Sequence, residues 1–464
     1  MRKEFSLADT IASIASFPSK AAVGVIKISG KKSLEIISKI FKPKKRKDIR
    51  KVKTYTLHYG WIVDKSKESR EKIVDEVLVG IMRAPFSYTR EDVVEIYSHS
   101  GQVVLNKILD LVLKKGARQA LPGEFTRRAF LRGRIDLSQA EAVLDIVEAK
   151  TDKALELGLS QLEGRLSERI NQIEEILKKT CSELEAELSF PEDVQIRKDY
   201  SLDIQRAIKK IKDLLKNSEK GRLLKEGVFL VICGKANVGK SSLLNMFLRE
   251  ERVIVTPFAG TTRDVVEEDI NIRGLPLKIY DTAGILEPRD LIEKKALEKS
   301  YKKIEEADLI LLVFDGSQKL TSEDFFLIDK TREKKVIFVI NKTDLPLKIE
   351  EEILKRYKKP LVKISALFSR GLKNLETKIL KVIFKEGLDK KEEEIFLSNK
   401  RHIDLLKEAL SLLERVKADL KKGFPSDFLF FNLREALERV SEITGKNVSE
   451  DILDSIFSKF CIGK

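Results

Sequence analysis

The chain has 464 residues, 89 Lys and Arg against 74 Asp and Glu, a net charge of +15 and 42% hydrophobic residues. That length exceeds one ordinary core, and that hydrophobic share excludes intrinsic disorder. Three scattered cysteines (Cys181, Cys233, Cys461) and three histidines exclude a disulfide framework and disfavour a histidine metal centre. The longest apolar runs, such as Leu309 to Phe314, fall far short of the roughly 20 residues of a membrane span. The N-terminus lacks a secretory apolar stretch, so a cytoplasmic protein with no membrane partner is expected.

Residues 1–118 read as an α+β domain. Val23–Ser29 and Val93–Tyr97 are strand patterns, and Ser33–Phe41 and Gln102–Lys115 have helical spacing. The positive excess is concentrated here: residues 1–120 hold 25 Lys and Arg against 13 Asp and Glu. A dense run between Lys42 and Lys53 suits either a phosphate backbone or a solvated loop. From Ser138 the spacing becomes helical. Leu155 through Leu188 step by three or four, which predicts one long amphipathic helix ended by Phe190-Pro191. A second helix is predicted over Leu202–Glu219.

Residues 223–386 alternate buried-strand runs (VFLVICG, LKIYDTAG, LILLVFD, VIFVINK) with helix patterns, as in a doubly wound α/β sheet. After it, Ile403, Leu406, Leu410, Leu413, Val416 and Leu420 restore helical spacing. The expected architecture is a helical domain built from two segments, 119–222 and 387–464, with an α/β domain inserted between them.

The inserted domain carries a nucleotide signature. GKANVGKS, from Gly234 to Ser241, matches GxxxxGK(S/T) between a strand and a helix, where backbone N–H groups can wrap phosphates. Lys240 would reach the β- and γ-phosphates and Ser241 would ligate Mg²⁺. Asp281-Thr282-Ala283-Gly284 follows a strand; its Asp can hold Mg²⁺ through water and its Gly N–H can touch the γ-phosphate. Thr262 can close the metal shell. Asn341-Lys342-Thr343-Asp344 follows the next strand, and Asp344 can accept both the N1–H and the exocyclic amine of guanine. Ser365-Ala366-Leu367 offers an N–H to the guanine oxygen. Five elements in this order identify a GTP-binding domain. The usual glutamine after the DTAG run is Ile285, and no arginine finger is evident. Asn237, beside the carbonyls of Thr256-Pro257-Phe258-Ala259-Gly260-Thr261, suits a monovalent cation such as K⁺ in that place. Glu293 could orient the attacking water, although spacing alone reads it as a surface helix residue.

Taken together the motifs resemble the MnmE (TrmE) family of tRNA-modifying GTPases over nearly the whole chain. The resemblance rests on PGEFTRRAFLRGRIDLSQAEAVL from Pro122 to Leu144, GKANVGKSSLLN, VTPFAGTTRD with DTAG, and the tetrapeptide Cys461-Ile462-Gly463-Lys464. It implies K⁺ ligation by Asn237, Thr256, Phe258 and Thr261, and it reassigns Glu293 to orienting water. Val238, Gly239 and Ser242 join the GTP-contacting set. It implies a tetrahydrofolate-binding, dimer-forming N-terminal domain, with 5-formyltetrahydrofolate or a related folate contacted at Lys27, Glu95, Arg134 and Lys464. Lys27 stands for an arginine seen in some members and Arg134 for a lysine, which keeps charge but not hydrogen-bond geometry. Cys461 is implied to matter for modification, as a thiolate or, in the plainer reading, as a buried small hydrophobe. The implied reaction adds an aminomethyl or carboxymethylaminomethyl group at C5 of the wobble uridine of certain tRNAs. The implied partner is GidA (MnmG), which uses FAD and NADH, in a heterotetramer with the homodimer. The alternative is a ribosome-assembly GTPase resembling Era or Der, which shares the nucleotide motifs but not the folate domain or the tetrapeptide.

Overall fold

The computed structural model describes the chain except residues 1–4, 17–20, 46–47, 65–71, 190–198, 251–266, 282–301 and 385–395. It comprises two compact units. One takes Met1–Leu144, Gln161–Glu174 and Leu437–Lys464; the other takes Asp145–Ser160 and Glu175–Ala436.

The first unit holds a seven-stranded sheet. Its strands are β1 (Ile11–Ile14), β2 (Val23–Ser29), β3 (Phe41–Pro43), β4 (Thr56–Asp64), β5 (Lys72–Met82), β6 (Val93–His99) and β7 (Arg118–Gln119). Their order is β3-β4-β5-β6-β2-β1-β7, antiparallel throughout except for the β1–β7 pair. Alternation fixes the register: Ile26 and Ile28 of β2 and Val94 and Ile96 of β6 are buried beneath the helices Ser33–Ile40 and Gln102–Lys114. Lys27, Glu95 and Tyr97 consequently belong to the opposite face. Both helices and both strands lie within a residue or two of their expected bounds.

The remainder of this unit is helical. Glu450–Phe457 packs on the helix that starts at Leu137, through Leu137, Ala140, Leu453, Ile456 and Phe457. Helix Glu124–Leu131 is tied to the sheet by charge instead. Arg128 is fully buried; its Nη1 donates to Glu91 Oε2 at 3.0 Å and its Nη2 to Glu124 Oε1 at 2.9 Å. Arg118 adds a bond to Glu124 Oε1 at 2.8 Å, Arg132 one to Glu91 Oε1 at 2.6 Å, and Ser29 Oγ one to Glu91 Oε2 at 2.7 Å. Buried ions of this kind are tolerable only when each is paired and hydrogen-bonded.

The predicted single helix from Leu155 to Leu188 is two helices, Asp152–Leu162 and Arg165–Ser189. The break is at Gly164, whose φ is +89°, a left-handed conformation that interrupts the helix while leaving the apolar spacing on either side intact. The helix predicted over Leu202–Glu219 likewise divides, into Ser201–Leu215 and Ser218–Glu226.

The second unit is built on a six-stranded sheet: β8 (Val228–Cys233), β9 (Glu267–Ile272), β10 (Leu275–Asp281), β11 (Leu309–Asp315), β12 (Val336–Asn341) and β13 (Leu361–Lys363). The order is β13-β12-β11-β8-β10-β9, parallel except at β9. Both faces are covered. Leu230, Ile232, Leu311 and Val339 belong to one core and Val231, Cys233, Leu312 and Phe338 to the other, which is why these strands read as continuous apolar runs. Helix Ser201–Leu215, before this sheet in the chain, is joined to helix Lys400–Lys422, after it, by Lys212 and Glu414 at 2.7 Å. The fold class is therefore as expected: an α+β domain, helices from two chain segments, and an inserted P-loop sheet. Among the described residues no helix is long and apolar enough to cross a membrane.

The buried ion network makes an acid-stability prediction. Burial alone would raise the carboxyl pKa of Glu124, but hydrogen bonds from Arg118, the Leu121 N–H and Arg128 hold it below the ordinary 4.5. A folded-state pKa lowered in this way gives stability that is complete above the unfolded value and lost as pH falls through the folded one. Glu124→Gln should therefore cost about 3 kcal/mol near neutral pH, because it leaves Arg118 and Arg128 short of a counter-charge. Urea unfolding followed through Trp61, the chain's single tryptophan and a residue of β4, reads this unit. The wild-type and variant curves should converge as pH drops below 4.5. A gap unchanged down to strong acid would show that the charge of Glu124 is not what the two arginines require.

Candidate functional site

Parallel strands open their following loops along one edge of a sheet. Here that edge gathers the loop from Gly234, the end of β10 at Asp281, Asp315, Asn341 and Ser365.

The phosphate loop closes at Gly239, with φ +95°; a Cβ there would lie 2.2 Å from Asn341 Nδ2, so only glycine fits. Lys240 starts the helix Lys240–Glu250 and is buried. Its Nζ donates to the carbonyl oxygens of Gly234 at 3.0 Å and Lys235 at 2.8 Å, which holds the ammonium against the inner wall of the loop. An ammonium beside the N–H groups of a helix's first turn is an anion cradle. Val238 is buried beneath the loop, whereas Ser241 and Ser242 are exposed at its mouth. Asn237 is exposed with φ +61°, in the left-handed region that asparagine tolerates.

Asn341 is buried and bridges two loops. Its Nδ2 donates to Val238 O at 2.9 Å, and its Oδ1 accepts from Ala366 N at 3.0 Å. Asp344 is exposed, and its Oδ1 accepts from Ser365 Oγ at 2.5 Å. Lys342 Nζ donates to Asp315 Oδ2 at 2.7 Å. Burial pushes the Asp315 carboxyl up, but Lys342 and Ser317 together hold it below its usual range. Leu367 is exposed beyond Ala366. Thr256, Pro257, Phe258, Ala259, Gly260, Thr261, Thr262, Thr282, Ala283, Gly284 and Glu293 lie outside the described residues; Asp281 ends β10.

One contact of the phosphate loop had no sequence signal. Lys235 Nζ reaches Asp324 Oδ2 at 2.7 Å and Thr321 Oγ1 at 3.0 Å, and Asp324 also accepts from Thr321 N at 2.8 Å in the cap of helix Ser322–Lys330. A residue pair so distant in the chain can be found only in three dimensions.

In the other unit Lys27 and Glu95 are direct cross-strand partners, with Nζ 3.8 Å from Oε1. Tyr97 OH donates to Glu95 Oε2 at 2.5 Å, and that bond pushes the phenol up to about 12. Tyr97 was not anticipated, although its two-residue offset from Glu95 places it on the same face of β6. The segment 461–464 docks on the start of helix Glu124–Leu131: Phe125 N donates to Lys464 O at 3.1 Å. Burial lowers the Lys464 ammonium pKa; Cys461 opposes this and Lys27 adds to it, with a net lowering. Gly463 lies against Ile14 and Ala15 at the end of β1, the strand that pairs with β2 at Lys27, so the 461–464 segment comes close to the Lys27–Glu95–Tyr97 cluster. Arg134 sits apart from it in its contacts, with its guanidinium 4.6 Å from the centroid of the Tyr88 ring. Cys461 is exposed, which overturns the plainer reading of a buried packing cysteine. Among the described residues no cluster of three or more His, Cys, Asp or Glu could hold a metal ion.

Comparison with known proteins accounts for both units. Residues 10–134 match the model of the GTP-binding protein TrmE N-terminus, and residues 137–461 match that of the MnmE helical domain. The tRNA modification GTPase MnmE of Thermoanaerobacter pseudethanolicus is 47% identical over 98% of this chain and 99% of its own length. The protein of the same name from Clostridioides difficile is 44% identical over 98% and 99%. The structure of Aquifex aeolicus Era bound to GDP·AlF4− is 32% identical over 40% of this chain and 66% of its own, with a TM-score of 0.29. With two family models spanning it and relatives aligned from end to end, this chain belongs to the MnmE family.

Proposed function

We propose that this protein is a K⁺-activated GTPase of tRNA modification. With an FAD-dependent GidA (MnmG) partner that uses NADH, it adds an aminomethyl or carboxymethylaminomethyl group at C5 of the wobble uridine of certain tRNAs. The one-carbon unit comes from 5-formyltetrahydrofolate or a related folate. The observation that carries this reading is the end-to-end likeness to tRNA modification GTPases at 47% identity. An Era- or Der-like role finds no support in the flanks, which match the TrmE and MnmE models. The protein is a GTP hydrolase that uses Mg²⁺, with Ser241 and Thr262 as its ligands. Working as a cytoplasmic homodimer, it divides its labour among a folate and dimerisation domain (1–118), a helical domain (119–222 and 387–464) and the GTPase domain (223–386).

The geometry supports the parts. Lys240 lines a cradle suited to phosphates, and Asp344 presents acceptors to a guanine edge. K⁺ would be held by the Asn237 amide oxygen with the carbonyls of Thr256, Phe258 and Thr261, and would neutralise charge where an arginine finger otherwise stands. Glu293 would orient the water. A folate fits the first unit because Glu95 can accept paired N–H groups of a pterin edge, while Lys27 and Lys464 supply cations for its anionic tail. Arg134, held on Tyr88, would be a more peripheral contact.

GTP turnover should be fast in K⁺ and slow in Na⁺ at matched ionic strength; equal rates would remove Asn237 from a cation site.

Asp344→Asn should weaken GTP and admit xanthosine nucleotides, because the amide offers a donor where the carboxylate only accepts. A mispair costs about 1–3 kcal/mol, or roughly 5- to 150-fold in affinity. Wild-type GTP affinity in a competition titration would refute the base-recognition role.

Cys461→Ser should separate two activities. The side chain is exposed, so a near-isosteric hydroxyl should leave folding and K⁺-stimulated hydrolysis intact. A thiolate is far more available than an alkoxide near neutral pH, so modification of wobble uridine, read by mass spectrometry of tRNA, should fall to little or nothing. Full modification would mean that the sulfur takes no part.

A further inference from the structure

The six-stranded sheet has a second functional-looking edge, at the opposite ends of the strands from the nucleotide loops. Helix Ser322–Lys330 ends there, β12 begins there at Val336, and the short helix Glu351–Arg356 turns there into β13. Between them lies a cavity of about 430 Å³. Its floor is apolar, made by Ile328, Val336 and Phe338, all buried. Its wall is Tyr357, which is 39% exposed and packs edge-on to Phe338 with ring centroids 6.2 Å apart. Its rim is Arg332, Arg356, Lys358 and Lys359.

The rim is more basic than the fold needs. The stretches 330–335 and 355–359 hold four Lys and Arg each, against Glu333 as their one acid. Some cations at helix C-termini are structural, since they meet unpaired carbonyls. Lys359 does this, donating to Arg332 O at 2.7 Å and Lys334 O at 3.1 Å. Lys355 is taken by Glu352 at 2.6 Å. Arg332 and Arg356 are exposed, and among the described residues neither guanidinium makes a hydrogen bond or close ion pair, Arg356 having only a longer-range attraction to Glu352. Two exposed guanidinium groups beside a half-exposed phenol over an apolar floor match one chemistry closely. Guanidinium forks pair with phosphodiester oxygens, and an aromatic face stacks on a nucleobase. An acidic peptide would use the cations but leave the aromatic wall and apolar floor without a matching group.

We infer that this cavity is an RNA contact of the GTPase domain, in which Arg332 and Arg356 hold backbone phosphates and Tyr357 stacks a base. The inference rests on tRNA being the substrate, as proposed above, and adds a place where the GTPase domain touches it. Since β12 has six residues, its Asn341 end and its Val336 end are about 17 Å apart. An RNA bound here therefore leaves the nucleotide cradle open, and substitutions here leave it intact.

The test is binding of the full-length protein to an unmodified tRNA transcript, followed by fluorescence anisotropy at several salt concentrations, with GTP affinity measured in parallel. R332A/R356A should bind the transcript at least tenfold more weakly and lower the slope of log K against log salt by about 2, with GTP affinity unchanged. Y357L should lose about tenfold with its salt slope unchanged, which a general loss of charge cannot produce. The pair K373A/K381A, on helix Leu372–Ile383, makes the same change in net charge elsewhere on the domain and should have little effect. Unchanged affinity and slope in R332A/R356A, or an equal loss in the control pair, would overturn the inference. If the arginine variant also loses GTP, Y357L decides alone, and wild-type binding by Y357L would then overturn it. A wild-type protein that fails to bind the transcript at all would refute the tRNA reading itself, a result distinct from wild-type binding that the variants share.

Discussion

The nucleotide site depends on one buried amide. Asn341 donates to the phosphate loop at Val238 and accepts from the base loop at Ala366. An amide has one acceptor and one donor group, and here both are committed, so the two loops cannot shift independently. Either protein group left unpaired in the interior would cost about 1–3 kcal/mol. The same amide explains why residue 239 carries no side chain, since its Nδ2 occupies the space a Cβ would fill. Lys240, held on the carbonyls of the loop, and Asp344, held by Ser365, are placed relative to one another through this bridge. Lys235 then ties the loop's outer side to the cap of helix Ser322–Lys330, so the loop is fixed from both sides.

The other unit follows a different rule. Its polar cluster is set by strand register: Lys27 faces Glu95 because β2 and β6 pair at those positions, and Tyr97 joins them because side chains alternate along a strand. A one-residue slip of β6 would send Glu95 and Tyr97 into the apolar core, and a slip of β2 would send Lys27 there. The fourth member, Lys464, comes from the far end of the chain and is brought in by main-chain bonding to the start of helix Glu124–Leu131. That helix is itself anchored by Arg128, buried between Glu91 and Glu124. The run PGEFTRRAFLRGR therefore has a physical purpose beyond resemblance. Its glutamate and Arg128 are interior ions that dock the helix, and its Arg134 stacks on Tyr88.

Much of this was legible in advance where the signal was local. The strand Val23–Ser29 and the helices near Ser33 and Gln102 follow from spacing, and so do the buried strands of the second sheet. The spacing from Leu155 predicts one long helix because the apolar residues continue across Gly164 in phase, and periodicity does not register a break that preserves phase. The same insensitivity hid the division near Lys216 and Asn217. The paired strands β4 and β5 carry a weak local signal, since exposed apolar residues such as Leu57 and Ile73 blur the alternation that marks a half-buried strand.

The sequence alone determined the chemistry that is encoded contiguously. A phosphate loop, a guanine-recognising tetrapeptide and the order of strands around them are each local patterns, because a loop of five to eight residues must supply its own backbone geometry. What only the tertiary structure decided are the relations between distant residues: Asn341 across to Val238 and Ala366, Lys235 to Asp324, Lys464 to Lys27, Arg128 between two glutamates, and the basic rim around Tyr357. Each depends on side chains that share space without sharing sequence. Local propensity carries no trace of such pairs, which form only once the sheets have fixed where each strand ends.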